Sequence, residues 1–291
     1  MVAPVQIGAC APAELPALVA LLDQEFIFYK GRSVTLAQRF PAALHADNCP
    51  NILVACRGGE IAAAIAIKRF DWITPERSWR GAMIGLVCTR AAERGQGLAS
   101  RLLGAAEEKL RAAGTDFAVL FSAQPGFYTR LGWTASDCGI FGTFTSDGGN
   151  AAGCTPVDAN TIEALRLRSL GAHMPRDSAT YRTLPLPAER LETRASPDGA
   201  AYAIYGAQAE RAYVYEFGGA PSGFAALWQD ICAAPRTVYI NERRGSAAQQ
   251  WLSNIPGISW REQALAMWLP LAEPDCARHF GDWHVPYLDR I

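Results

Sequence analysis

At 291 residues, half of them apolar and with a formal net charge of −1 at pH 7, the chain is long enough for two domains that each bury a core. Its charges are interspersed, which argues against a nucleic-acid binder or a polybasic membrane-surface protein. No apolar run reaches spanning length, and the first residues lack a charged segment followed by an apolar one, so a soluble cytoplasmic protein is expected.

In chain order, residues 5–8 read as a short strand and 12–28 as a helix with Leu15, Leu18, Leu22 and Phe26 on one face. A loop at 29–33 leads to a second helix expected over 35–45. Residues 51–57 and 61–70 form a hairpin about Gly58 and Gly59. A mostly apolar run at 82–89 reads as a buried strand. Leu98, Leu102, Leu103, Ala106 and Leu110 then recur at helical spacing up to Gly114. Residues 117–122 are the next strand, and the crossover through the long helix makes it parallel to 82–89.

Residues 138–144 read as a strand, and 145–160, rich in Gly, Ser, Asp and Ala, as an inter-domain connection. The second half is expected to run helix 157–170, strands 201–207 and 212–218, helix 222–232, strand 237–241, helix 246–254 and strand 264–269. That order repeats the first half from its third strand onward.

Eight cysteines are scattered without a Cys-x-x-Cys pair and read as buried free thiols. Cys276, His279, Asp282 and His284 are the one local cluster of metal-ligating types, in a spacing that matches no zinc pattern. With Phe280, Trp283 and Tyr287 beside them they read as a docked aromatic tail, and no metal is expected.

Between the strand at 82–89 and the long helix stands Arg94-Gly95-Gln96-Gly97-Leu98-Ala99. A helix begun through two glycines leaves its first N–H groups unpaired and unobstructed by Cβ atoms, so they converge on an anion at the positive end of the helix dipole. Arg94 adds positive charge and Ser100 a hydroxyl, which suits a pyrophosphate. A dinucleotide fingerprint would need Gly at 100, and a P-loop Gly-Lys-Ser/Thr; neither is present.

This segment resembles motif A, Arg/Gln-x-x-Gly-x-Gly/Ala, of the GNAT superfamily of acetyl-CoA-dependent N-acetyltransferases. The family's motif follows a bulged strand ending like Val87-Cys88-Thr89 and precedes a helix, a strand and an element like Phe127-Tyr128-Thr129-Arg130-Leu131-Gly132-Trp133. The resemblance implies an α/β (α+β) fold, a mixed central sheet flanked by helices in residues 1–148. A second, degenerate GNAT-like domain is expected over 149–291. There Gly218 to Gly223 replaces the motif without a basic residue and with a proline, so the second half is read as a structural partner.

The resemblance further implies that the pantetheine arm of acetyl-CoA pairs near Val87, Cys88 and Thr89, where strands part. Its pyrophosphate would lie on Arg94, Gly95, Gln96, Gly97, Leu98, Ala99 and Ser100, with Ser122 and Tyr128 completing the cofactor-binding set. Tyr128 is the candidate general acid toward the leaving thiolate, since a phenol with pKa of about 10 is protonated at neutral pH. The loop at 29–33 would lie over the acceptor side.

No glutamate stands at 82–86; Glu25 and Asp71 are alternatives for the base, as is the chain's carboxyl terminus, which some two-domain members bring to the acceptor site. The expected function is direct acetyl transfer to a primary amine, whether polyamine, aminoglycoside, amino acid or peptide, with homo-oligomerisation open and no nucleic-acid or membrane partner. The rival is a non-catalytic CoA-binding regulator or scaffold.

Overall fold

The computed structural model describes residues 3–28, 31, 34–168, 171–184 and 191–291. Its first half contains strands β1 (Val5–Ala9), β2 (Ile52–Arg57), β3 (Glu60–Ile73), β4 (Ser78–Thr89), β5 (Phe117–Phe121), β6 (Thr134–Ala135) and β7 (Gly139–Asp147). Helices α1 (Leu15–Phe26), α2 (Leu36–Arg39), α3 (Leu98–Ala112) and α4 (Pro125–Thr129) lie among them. The second half contains β8 (Thr155–Pro156), β9 (Leu191–Ala195), β10 (Ala201–Ala207), β11 (Arg211–Gly219), β12 (Pro235–Arg243), β13 (Ser259–Glu262) and β14 (Ala266–Pro270). Its helices are α5 (Ala159–Leu167), α6 (Ser178–Arg182), α7 (Phe224–Ile231) and α8 (Ala247–Leu252).

The run of apolar residues in β3 is explained by helices on both faces of the sheet, since a strand covered on both sides has no polar face to alternate. Ile65 and Ile67 pack with the buried stripe of α3, Leu98, Leu102, Leu103, Ala106 and Leu110. Ala64 and Ala66 pack on the other face with Leu18, Leu21 and Leu22 of α1. Each such leucine, fully buried, contributes on the order of 1.5–3 kcal/mol.

Two seven-stranded sheets result, with orders β1-β2-β3-β4-β5-β14-β6 and β8-β9-β10-β11-β12-β7-β13. In each, the fourth and fifth strands are parallel and the remaining neighbours antiparallel. The two halves therefore share one topology, as the repeat in the sequence implied. They also exchange a strand: β7 pairs with β12 in the second sheet, while β14 pairs with β5 in the first.

Three expectations need correction. The helix predicted over 35–45 is only α2, because Pro41 removes an N–H and disfavours helical geometry at Phe40, whose φ and ψ are −127° and 62°. Residues 145–147 of the expected connection are the end of β7. The strand near 264–269 exists, but in the first sheet rather than the second. Of the loop at 29–33, only Gly31 is among the described residues, and residues 169 and 170 of the helix expected at 157–170 lie outside them.

The exchanged β14 carries Trp268, fully buried against Phe117 and Phe280. Trp283 follows it into the same cluster, 4.8 Å from Phe117 between ring centroids, with His279 stacked on its outer face. The aromatic segment is thus docked as its composition implied. Among the described residues no three His, Cys, Asp or Glu side chains gather in a metal-holding group. No helix among them is long and apolar enough to cross a membrane.

A fragment of residues 1–148 would expose the edge of β5 and the apolar surface that β14 covers. Expressed alone it should aggregate or show no cooperative melting by circular dichroism, whereas co-expression with 149–291 should restore both. Cooperative melting of the isolated fragment would show that β14 is dispensable.

Candidate active site

The β4–β5 ladder pairs Gly81 with Phe117, Ala82 with Ala118 and Met83 with Val119, and then stops, although β4 runs on to Thr89. Beyond that point the strands part around a cleft of about 520 Å³. Its walls come from Ile84 to Val87 of β4, Leu120 and Phe121 at the end of β5, Ser122 to Gln124 after it, Tyr128 of α4, Phe26 and Ile27 at the end of α1, and Arg39 and Phe40 of the α2 turn.

β4 is bulged at this place. Ala66 of β3 pairs with Gly85 and Ala64 with Cys88, so Leu86 and Val87 together stand opposite Ile65. Leu86 takes φ of 53°, a left-handed conformation unusual for a residue with a side chain. A bulge of this kind withdraws main-chain groups from the ladder and leaves them for a ligand.

At the end of β4 the chain turns through Arg94 to Gly97 into α3. Gly95 and Gly97 have φ of 79° and 72°, and a Cβ built on either would meet nothing within 4 Å, so the turn is bare as well as left-handed. The first helical bond runs from Arg101 N–H to the Gly97 carbonyl, 3.1 Å, which leaves the N–H groups of Leu98, Ala99 and Ser100 ahead of it. Residues 94–97 are exposed, while Leu98 is buried in the core and leaves only its backbone at the turn.

Side chains hold this turn in place. Arg94 is ion-paired with Glu25 and donates through Nε to the Thr89 carbonyl at 3.2 Å. Glu25 also accepts from Ala91 N–H at 3.1 Å, so this candidate base is already engaged as a brace. Gln96 is pinned by Arg57 at 2.7 Å and Glu93 at 3.2 Å. Asp71 is exposed and pairs across from Arg80, outside the cleft. Cys88 packs into the α1 side of the core, and burial pushes its thiol up to about 12, so it supplies no thiolate.

Tyr128, 8% exposed, reaches the cleft from α4. Burial raises its phenol above the ordinary value, and a hydrogen bond with the Ser122 side chain pulls the other way. The net result is a neutral O–H donor. Phe127 and Trp133 flank it edge-on at 4.9 and 6.4 Å. Val87, Ser122 and Tyr128 therefore line one cleft, with the glycine turn at the end of the same strand.

Into this cleft comes Ile291, which the β-strand pattern alone did not reveal. Its N–H donates to Met83 Sδ at 3.2 Å, and a Cβ on Gly85 would lie 2.5 Å from its main-chain oxygen. A glycine inside an apolar strand is the sequence signal for such a close backbone approach. Upstream, Arg176 grips Asp289 with two bonds of 2.9 and 2.8 Å and Glu216 with two of 3.2 and 2.8 Å. Lys68 donates to the Asp289 carbonyl at 2.8 Å, and Arg290 lies 4.0 Å over the Phe121 ring.

Burial works against the Asp289 charge, yet the Arg176 guanidinium holds its carboxyl below the usual carboxylate range. That stabilisation is present at neutral pH and fades as acid titrates the carboxylate. Asp289→Asn should cost roughly 3–5 kcal/mol at pH 7 by urea denaturation, because Arg176 is left with one of its two partners. The gap from wild type should narrow below about pH 4, where Asp289 itself takes up a proton.

The parted strands, the bulge and the bare helix start belong to an α/β fold of the acyltransferase type. Residues 9–136 match the family model of the acetyltransferase (GNAT) domain, so this part of the chain is similar to that family. Among solved structures, a GCN5-related N-acetyltransferase from Kribbella flavida superposes with a TM-score of 0.71 at 16% identity, over 93% of this chain and 72% of that one. A probable N-acyltransferase from Enterococcus faecalis V583 gives 0.75 at 16%, over 94% and 73%. Eis1 from Mycobacterium abscessus gives 0.61 at 12%, over 92% and 74%. At such identities the likeness is one of fold. No curated protein matches the sequence.

Proposed function

We propose that the protein transfers the acetyl group of acetyl-CoA directly to a primary amine of a small molecule or peptide. The observation that carries this reading is the bare, exposed glycine turn at the end of the same strand whose parting from β5 opens a cleft onto Tyr128. Residues 94–100 would hold the pyrophosphate, and the withdrawn main chain at Val87 to Thr89 the amide-bearing arm. Acetyl-CoA supplies an activated thioester. Residues 1–148, completed by β14, would form the catalytic part and the remainder an accessory part.

The acceptor nitrogen attacks the thioester carbonyl, and the carbon–sulfur bond breaks. The nitrogen loses one proton and the thiol gains one. Tyr128 is suited to the second transfer: it is uncharged, held by Ser122, and shielded from water by Phe127 and Trp133. Main-chain N–H groups freed by the bulge would polarise the carbonyl.

For the first transfer, no Asp, Glu or His stands among the described residues of the cleft wall. In a chain that ends at Ile291, its main-chain carboxylate is the anion in reach, beside Gly85. The lack of a side-chain base is also the observation that favours the second reading, a CoA-binding regulator without turnover.

The two readings part in an assay of thiol release from acetyl-CoA with a panel of polyamines, aminoglycosides, amino acids and peptides. Wild type should turn over at least one, and Tyr128→Phe should lose about 100-fold or more in kcat while calorimetry shows acetyl-CoA still bound. Equal turnover by Tyr128→Phe would remove the acid role. Binding without turnover across the panel would favour the regulator, and no binding at all would end the assignment.

A further inference from the structure

The second sheet repeats the parting of the first. β11 and β12 pair from Arg211 with Thr237 to Val214 with Ile240, and then separate, although β11 continues to Gly219 and β12 to Arg243. A cavity of about 340 Å³ fills the opening. Tyr215 and Phe217 of β11 and Phe224 of α7 give it an apolar side, and Glu242, Ser246 and His284 a polar one.

It is not a copy of the first site. Where Gly95 and Gly97 are bare, the second half is closed: a Cβ on Gly219 would lie 2.4 Å from the Ala200 carbonyl oxygen, and one on Gly223 2.4 Å from Ser196 Oγ. Pro221 removes a donor, and Asp198 stands by the turn with a hydrogen bond from Ser222 at 3.4 Å. A packed, proline-bearing, acidic turn repels a pyrophosphate.

Arg243 lines the polar side too, and its charge favours an ionised Glu242. Glu242 makes no ion pair among the described residues; its carboxyl is met by the Arg243 N–H at 2.8 Å and the Ser246 hydroxyl. His284 has no hydrogen-bond partner among them. A buried carboxyl group without an ion-pair partner is costly to ionise, and an ammonium group placed beside it relieves that cost.

We propose that this cavity is a binding site for a small aryl-alkyl primary amine, with its ammonium group on the Glu242 carboxylate and the free nitrogen of His284 and its ring against Tyr215 and Phe217. The site uses no residue of the first cleft and stands independently of the acyl-transfer reading. It shares only the tail: His284 and Pro286 wall this cavity, and five residues beyond Pro286 lies Ile291.

Titration supports the geometry. Burial pushes the Glu242 carboxyl up to about 7 and the His284 imidazole down to about 3, so the imidazole is a neutral acceptor at physiological pH. The charged and titratable groups that line the cavity with Glu242 are Tyr202 of β10, Tyr215 and Glu216 of β11, Arg243 of its own strand, Asp282 and His284 of the tail, Arg166 of α5 and His173 beyond it. Of these, Arg166 and Glu216 are held in ion pairs with Glu163 and Arg176.

The test is calorimetric titration of the full chain with tyramine in the absence of acetyl-CoA. Wild type and Tyr128→Phe should bind it equally, and Glu242→Gln at least tenfold more weakly. Since tyramine stays protonated from pH 6 to 8 while the carboxyl ionises, wild-type affinity should rise about tenfold over that range, and Glu242→Gln should show no rise. On wild type itself, 4-ethylphenol, which lacks the amine, should bind at least tenfold more weakly than tyramine. Absence of tyramine binding, equal binding by Glu242→Gln, or loss of binding in Tyr128→Phe would each overturn the proposal.

Discussion

The fork between Arg176 and Asp289 organises the functional half of this molecule. A guanidinium with no solvent exposure cannot remain charged unless its donors are taken up, and here they are divided between Asp289 of the tail and Glu216 of the second sheet. The Tyr202 hydroxyl donates to Glu216 at 2.6 Å and completes the network. Two residues after Asp289 the chain reaches Gly85, where the absence of a side chain lets main chain meet main chain. The contents of the first cleft are thus fixed by a charge network seated in the second half.

Strand exchange makes the same point at the level of packing. β7 and β14 each complete the sheet of the other half, so neither core closes by itself. Against this shared scaffold the two halves differ in small particulars. One helix start is open, left-handed and braced by Arg94 and Glu25; the other is filled by Ala200 and Ser196 and interrupted by Pro221. The same topology therefore carries a bare, exposed helix start on one side and, on the other, a cavity with a carboxyl group that makes no ion pair among the described residues. Function on this fold lies in those local substitutions.

Much of the arrangement was legible in the sequence because it rests on periodicity and glycine. The stripe of α3 is buried at every position that its spacing named, and β5 is parallel to β4 as a helical crossover requires. The turn at Arg94 to Gly97 and the aromatic tail could be read in the same way. What escaped depends on distant partners. A five-residue strand such as β14 carries no label saying which sheet it joins, and β9 and β13 are too polar to stand out as strands. Nor does a lone Arg176 announce that its carboxylates lie at positions 216 and 289. Glu25, an alternative for the base in the sequence, is engaged as a brace.

The central claim is that the donor substrate lies along the parted β4 and β5 with its phosphates on the glycine turn. Hydrogen–deuterium exchange of the full chain, with and without saturating acetyl-CoA, tests it most directly. The account predicts slowed exchange at residues 86–89 and 95–100, and none at 215–219 or 241–245. Protection confined to the second pair of segments, or to neither, would contradict it.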